Sequence, residues 1–185
     1  DLAGKGISSV CLNLATPFDL QGMSAVDVDD DGKLELLIFG CYPWSPNISN
    51  HWLFAFGENL SFEDGWPREI PINRYFKPNM PVFGDLDGDS LTEYVTTCWD
   101  LDFGYIYAWR HDGLPYPGDS ATNGFFAAVP EPSMLNMPIL ADLDAINGAE
   151  IISCALPDVW GVSQRESIVA WNKMAQLLPG WPLTV

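Results

Sequence analysis

The chain has 185 residues, of which 48% are hydrophobic and 18% charged, a composition that indicates a globular protein with a sizeable core and excludes a disordered one. Aspartate and glutamate number 25 against 8 lysines and arginines, which gives a formal net charge of −17. Because phosphate groups and anionic lipid surfaces are bound through lysine and arginine, this balance argues against nucleic acid and membrane partners and is compatible with binding cations.

The first 22 residues contain one strand-like segment, Ser9 to Leu14, ahead of the first repeated unit. We predict that it forms an outer strand belonging to a preceding or closing unit. The chain begins at Asp1 without a methionine or a basic leader, so we expect a processed protein or a piece of a longer one.

An acidic pattern, Asp-x-Asp followed by five residues and Glu, then occurs three times along the chain. Its first aspartates, Asp27, Asp85 and Asp142, are separated by 58 and 57 residues. A repeat of this length is typical of a supersecondary unit that is stacked several times.

Each acidic loop is followed and preceded by similar short segments in every repeat. An apolar segment precedes the loop and a second follows it; then come a third, aromatic-rich segment, a turn, a Gly/Pro-rich signature and a fourth extended segment. The third segments are Trp52–Phe56, Tyr105–Trp109 and Ser167–Trp171, and two of the signatures read Gly-Trp-Pro, at 65–67 and 180–182. Short segments rich in β-branched and aromatic residues and bounded by Gly and Pro are predicted to be strands. We find no capped amphipathic helix.

Four strands per repeat of about 57 residues indicate an all-β protein built from β-propeller blades. The predicted blades cover residues 23–79, 80–136 and 137–185, the last incomplete, within one structural domain. Closed propellers need about four to eight blades, so we expect a partial propeller or a ring closed by association. An open arc would expose apolar blade faces to water.

The loops themselves suggest a metal. Carboxylates crowded within nine residues repel one another unless a cation neutralises them, and oxygen ligands at alternate positions suit calcium above all. The alternative is an acidic turn that hydrogen-bonds its own backbone.

The pattern resembles the FG-GAP repeats of integrin-α-like β-propellers, in the variety with a Gly-Trp-Pro signature. The resemblance rests on the acidic loop, the following apolar strand with its glutamate, the Ala-Trp or Ala-Phe strand and Gly-Trp-Pro, and it covers residues 23–182. It implies one structural calcium ion in each loop between the first two strands of a blade. The implied ligands are Asp27, Asp29, Asp31, the Lys33 carbonyl and Glu35; Asp85, Asp87, Asp89, the Leu91 carbonyl and Glu93; and Asp142, Asp144, Asn147 and Glu150.

The loops also depart from the pattern. In the third, Ile146 stands where the third aspartate should be, so we expect this site to be weaker or empty. In the second, Ser90 replaces glycine at a position that we expect to be left-handed, which costs a serine more.

The aromatic residues, cysteines and histidines give weaker indications of function than the acidic loops. The recurring aromatics (Phe56, Trp109, Trp171, Trp66, Trp181) are predicted to pack between blades, whereas aromatics in or beside variable insertions could bind a ligand: Trp44, Trp52, Trp99, Phe103 and Trp160. The four cysteines are predicted to be small buried strand residues rather than disulfides. His51 and His111 are predicted to be solvated loop side chains, and neither a zinc site nor a catalytic motif is found.

We therefore predict an extracellular, non-enzymatic, calcium-binding β-propeller module, secreted or at the cell surface, for adhesion or for binding a protein or carbohydrate ligand. Self-association could close the ring. One alternative is a module of a secreted polysaccharide-degrading enzyme, and another is a structural assembly subunit. The sequons at Asn47 and Asn59 leave glycosylation open.

Overall fold

The computed structural model describes residues 19–41, 51–70, 79–99, 103–116, 124–129, 133–146, 148–157 and 166–184. These residues form thirteen β-strands and no helix, which confirms the all-β prediction. Within the same ranges no helix is long and apolar enough to span a membrane. The predicted strand at Ser9 to Leu14 lies outside the described residues.

The strands form three antiparallel sheets in chain order, and each sheet has four strand positions. The first sheet contains β1 (Asp19–Val26), β2 (Glu35–Cys41), β3 (His51–Phe56) and β4 (Arg68–Ile70). The second contains β5 (Val82–Gly84), β6 (Glu93–Trp99), β7 (Gly104–Trp109) and β8 (Phe125–Ala128). The third contains β9 (Ser133–Leu135), β10 (Ile139–Ala141), β11 (Glu150–Pro157), β12 (Ser167–Trp171) and β13 (Leu183–Thr184).

The first strand position of the third sheet is split in two. Both β9 and β10 pair with β11, through Leu135 opposite Ala155 and Ile139 opposite Ile152. Pro138 lies in the gap and has no N–H to donate to a ladder, which accounts for the interruption. The third sheet consequently includes residues before 137, the position at which the sequence predicts its start.

The turn after the third strand has the same construction in all three sheets. The residue after the strand donates its backbone N–H to the carbonyl four residues later, at 3.0 Å for Gly57, 2.8 Å for Arg110 and 2.9 Å for Asn172. An isolated antiparallel bridge then returns to the last residue of the strand, as between Trp171 and Leu177. The sequence repeat is therefore also a repeat of backbone structure.

Two apolar clusters hold the sheets together. The cluster between the first and second sheets includes Leu37, Leu53, Trp66 and Tyr94, and also Trp109. The cluster between the second and third sheets includes Leu86, Ile106, Leu135, Ile151 and Trp171. Each sheet thus packs against its neighbour in the chain.

The prediction for the recurring aromatics holds in part, because Trp66, Trp109 and Trp171 belong to the clusters between sheets. Phe56 is 4% exposed but contacts Phe54 and Phe62 of its own repeat, and Trp181 is only partly buried.

The prediction for His51 was wrong: it lies in β3, is fully buried and stacks on Phe39 with ring centroids 6.1 Å apart. His51 is the first residue of the strand rather than the last of the insertion, so the sheet covers it.

The cysteine prediction holds only in part. Cys98 is buried and Cys154 is exposed, and both are free thiols. Ser153 and Ala155 on either side of Cys154 are buried, so the alternation of β11 turns Cys154 away from the core. The side chain of Cys41 and all of Cys11 lie outside what the structure describes.

Candidate metal centres

Each acidic loop connects the first two strands of its sheet, where a hairpin folds the pattern back on itself. The residue before the first aspartate pairs with the glutamate in every case: Val26 with Glu35, Gly84 with Glu93, and Ala141 with Glu150. This shared register explains the constant spacing, since it returns the glutamate of each pattern to its own first aspartate.

The first aspartate of each loop accepts hydrogen bonds from backbone N–H groups of the turn. Asp85 accepts N–H groups of Gly88 and Asp89 on Oδ1, at 2.6 and 3.1 Å, and of Ser90 on Oδ2 at 2.9 Å. Asp27 accepts the equivalent Gly32 N–H at 2.9 Å. These bonds fix the carboxylate so that it faces the inside of the loop.

Later acidic residues also accept backbone N–H groups two positions on. Asp89 Oδ1 accepts from Leu91 at 2.8 Å, and Asp31 Oδ1 accepts from Lys33 at the same distance. In the third loop Asp144 Oδ1 accepts from Ile146 at 2.8 Å. Turns of this kind form with or without a metal, so these bonds alone do not distinguish a cation site from an acidic turn.

The buried glutamates favour a cation site over a simple acidic turn. Glu35, Glu93 and Glu150 are only 1–3% exposed, and each accepts one backbone N–H on Oε2. Burial, opposed by the Leu86 N–H and reinforced by the neighbouring aspartates, raises the pKa of Glu93 to about 7. Burial likewise raises the pKa of Glu35. A buried carboxylate beside other carboxylates is unfavourable without a positive charge to compensate it.

The carboxylates of each loop converge. One oxygen from each of Asp85, Asp87, Asp89 and Glu93 lies within 4.8 Å of the others. Smaller groups meeting the same criterion occur in the other two loops: Asp27, Asp29 and Glu35, and Asp142, Asp144 and Glu150. All three acidic patterns therefore assemble clusters that could hold a metal ion.

Asp31 is the predicted ligand that stays outside its cluster. Its Oδ2 lies 3.2 Å from Nζ of Lys33, which is also 3.3 Å from a carboxylate oxygen of Glu58. Hydrogen bonds from the backbone and the side chain of Lys33 lower the pKa of Asp31. Leu91 occupies the position of Lys33 in the second loop and cannot form such a pair, which leaves Asp89 in the cluster.

The loop backbones are alike in conformation. Asp30, Gly88 and Ala145 have φ values of 60°, 84° and 59° at matching positions. Two residues later, Gly32 and Ser90 have φ values of 82° and 73°, as expected from the sequence. In the third loop Ile146 is exposed, and Asn147 lies outside the described residues.

The candidate ligand-binding aromatics are spread over two sheets. Trp52 lies inside β3 and is partly buried, while Trp99 ends β6 and Phe103 precedes β7 at the same end of that hairpin. Of these three, Phe103 is the one that is exposed, at 39%. Trp44 and Trp160 lie outside the described residues.

Sequence reasoning missed one residue that contacts the second acidic loop. Nζ of Lys173, in the turn after β12, donates to the backbone carbonyl of Asp87 at 2.8 Å. A single lysine in a turn carries no pattern of its own. The sequence nevertheless showed that this position carries a different side chain in each repeat, since Glu58 and His111 occupy it in the first two.

Among the described residues, the three loop clusters contain aspartate and glutamate alone, with no histidine or cysteine. Such oxygen-only sets suit hard cations and not zinc. Comparison of the chain with protein-family models, with curated proteins and with solved structures finds no match in any of the three.

Proposed function

We propose that this protein is an extracellular calcium-binding β-propeller module whose ions rigidify loops that serve adhesion or ligand binding. The observation that carries the proposal is the convergence of Asp85, Asp87, Asp89 and Glu93, with the glutamate buried. A cation at this point would neutralise carboxylates that otherwise repel one another in a poorly hydrated position.

Calcium is favoured over other cations by the chemistry of the donors. It takes six to eight oxygen ligands in flexible geometry, and a short loop can supply carboxylates and backbone carbonyls together. Magnesium demands near-octahedral geometry and retains most of its water, so a four-carboxylate cluster suits it less. The role is structural, because the carboxylates are tied to the backbone of their own loop.

The propeller arrangement is supported by three sheets of the same strand order that pack on one another in sequence. Three blades are fewer than a closed ring needs, so further blades or a second copy of the chain would complete it. A protein or carbohydrate partner would then contact loops held in place by calcium. Phe103 is exposed at the other end of β6, beyond Trp99, so it would belong to a separate contact.

Native mass spectrometry of the purified chain, with calcium and with a chelator, tests the proposal. We expect two or three ions per chain, and one fewer in Asp85→Asn. The matched control is Asp112→Asn, which lies in a turn outside the acidic loops and keeps its hydrogen bond to Leu114. A dimer that dissociates on chelation would support ring closure by association, whereas absence of calcium at millimolar concentration would refute the calcium proposal.

A further inference from the structure

The second and third acidic loops touch each other through their backbones. The N–H of Ala149 donates to the backbone carbonyl of Asp85 at 3.0 Å. Gly148 next to it has φ of +102°, and a Cβ added there would collide with the carbonyl oxygen of Leu86 and lie 2.9 Å from its carbon. Glycine is therefore required at position 148 for the two loops to approach this closely.

A second contact comes from the turn after β12. Lys173 donates a hydrogen bond to the carbonyl of Asp87 at 2.8 Å. Two alternate residues of the second loop, Asp85 and Asp87, are therefore hydrogen-bonded to the third repeat. The first loop has no comparable attachment among the described residues: Thr92, the counterpart of Ala149, donates no bond to Asp27, and a Cβ on Gly32 would meet nothing within 4 Å.

We propose that the second and third loops form a coupled pair of calcium sites, in which filling one raises the affinity of the other, while the first loop binds independently. This inference rests on the proposed function. Ala149 precedes the ligand Glu150 of the third loop, and its N–H is bonded to Asp85, a ligand of the second. An ion in either loop orders this shared backbone, so the other ion orders less on binding.

A divalent ion in one cluster reduces the electrostatic attraction of the other cluster for a second ion, so charge alone opposes this coupling. The second cluster has four carboxylates and the third has three, so each keeps a net negative charge after it takes up one divalent ion. The Lys173 ammonium group donates to the backbone carbonyl of Asp87 in the second loop. The proposed coupling therefore requires that the ordering of the shared backbone outweigh this electrostatic effect.

The test is a calcium titration of the intact chain followed by amide hydrogen exchange, with each loop read in its own peptide. Asp142→Asn removes a ligand of the third loop, and we expect it to raise the calcium midpoint of the second loop by roughly five-fold or more, as couplings of this kind do. The midpoint of the first loop should stay unchanged. Asp27→Asn is the mirror control and should leave the second and third loops unaffected.

Gly148→Ala and Gly32→Ala provide a second, matched pair of variants. Both place a side chain at positive φ, but only the first drives it into the neighbouring loop. We expect Gly148→Ala to weaken the second and third sites together, and Gly32→Ala to weaken the first site alone.

The outcomes separate the inference from the proposed function. If the second loop keeps its midpoint in both Asp142→Asn and Gly148→Ala, or if the third loop of the wild type gains no protection with calcium, the coupling is wrong and calcium binding stands. If no loop of the wild type gains protection with calcium, the proposed function itself fails.

Discussion

Ser90 adopts a backbone conformation that its counterpart in the first loop, Gly32, adopts without a side chain, with φ of 73° against 82°. The left-handed region costs a residue with a Cβ about 1–2 kcal/mol, partly offset by the greater freedom of glycine in the unfolded chain. We therefore expect Ser90→Gly to raise the free energy of unfolding by about 0.5–1 kcal/mol, measured by urea denaturation in chelator.

The reciprocal change in the first loop tests whether backbone strain is the cause. Gly32→Ser should lower the free energy of unfolding by a similar amount, because it introduces the same strain in the first loop. Destabilisation by Ser90→Gly would show that the serine side chain contributes something other than strain.

Glu93 makes the ion-free protein sensitive to pH. Burial raises its pKa from 4.5 to about 7, so between these values the folded state binds a proton that the unfolded state has released. This contribution to stability is fully present below about pH 4.5 and is lost as the pH rises through about 7. We expect the melting temperature in chelator to rise as the pH is lowered from 8 to 6.

Saturating calcium should abolish or reverse that trend, because protons then compete with the ion for the carboxylate. Glu93→Gln, which cannot ionise, should flatten the pH dependence in chelator and lose one bound ion. An unchanged pH dependence in Glu93→Gln would show that Glu93 is not the responsible group.

Between elements, a chain of polar side chains ties the second and third sheets together. Thr97, fully buried in β6, accepts from Nδ2 of Asn79 at 2.8 Å and donates to the carbonyl of Asn136 at 2.7 Å. Thr97→Val keeps the shape but leaves these partners without that hydroxyl, which costs about 1–3 kcal/mol. Thermal denaturation should show the loss.

Two further variants make this measurement specific. Thr97→Ser retains the hydroxyl and should cost less than valine, and Thr184→Val, at an exposed position in β13, should cost almost nothing. If serine at position 97 costs more than valine there, the methyl group matters more than the hydrogen bonds.

The strands and the loop clusters were predictable from the sequence because both depend on local pattern. A hairpin register that pairs Val26 with Glu35 follows from the spacing of the loop itself. The burial of His51 and the exposure of Cys154 were not predictable, since they depend on which face of a strand meets another sheet. The charge difference between Lys173 and its counterparts was visible in the sequence, but its partner was not, because Asp87 is 86 residues away.

At the scale of the whole molecule, each apolar cluster joins one pair of neighbouring sheets, as in a repeat array. Stability in such an array is close to a sum over units and their nearest-neighbour interfaces. The first and third sheets should therefore respond separately to damage at opposite interfaces.

Trp171 and Trp109 allow this to be tested, because they are nearly equally buried and belong to different clusters. Replacing a buried tryptophan by alanine typically costs about 3–5 kcal/mol. In calcium-free buffer, we expect Trp171→Ala to accelerate amide exchange in the second and third sheets more than in the first, and Trp109→Ala to do so in the first and second. Equal acceleration of all three sheets by both variants would mean that the described sheets unfold as one cooperative unit, because only then does damage at one interface reach the sheet that does not touch it.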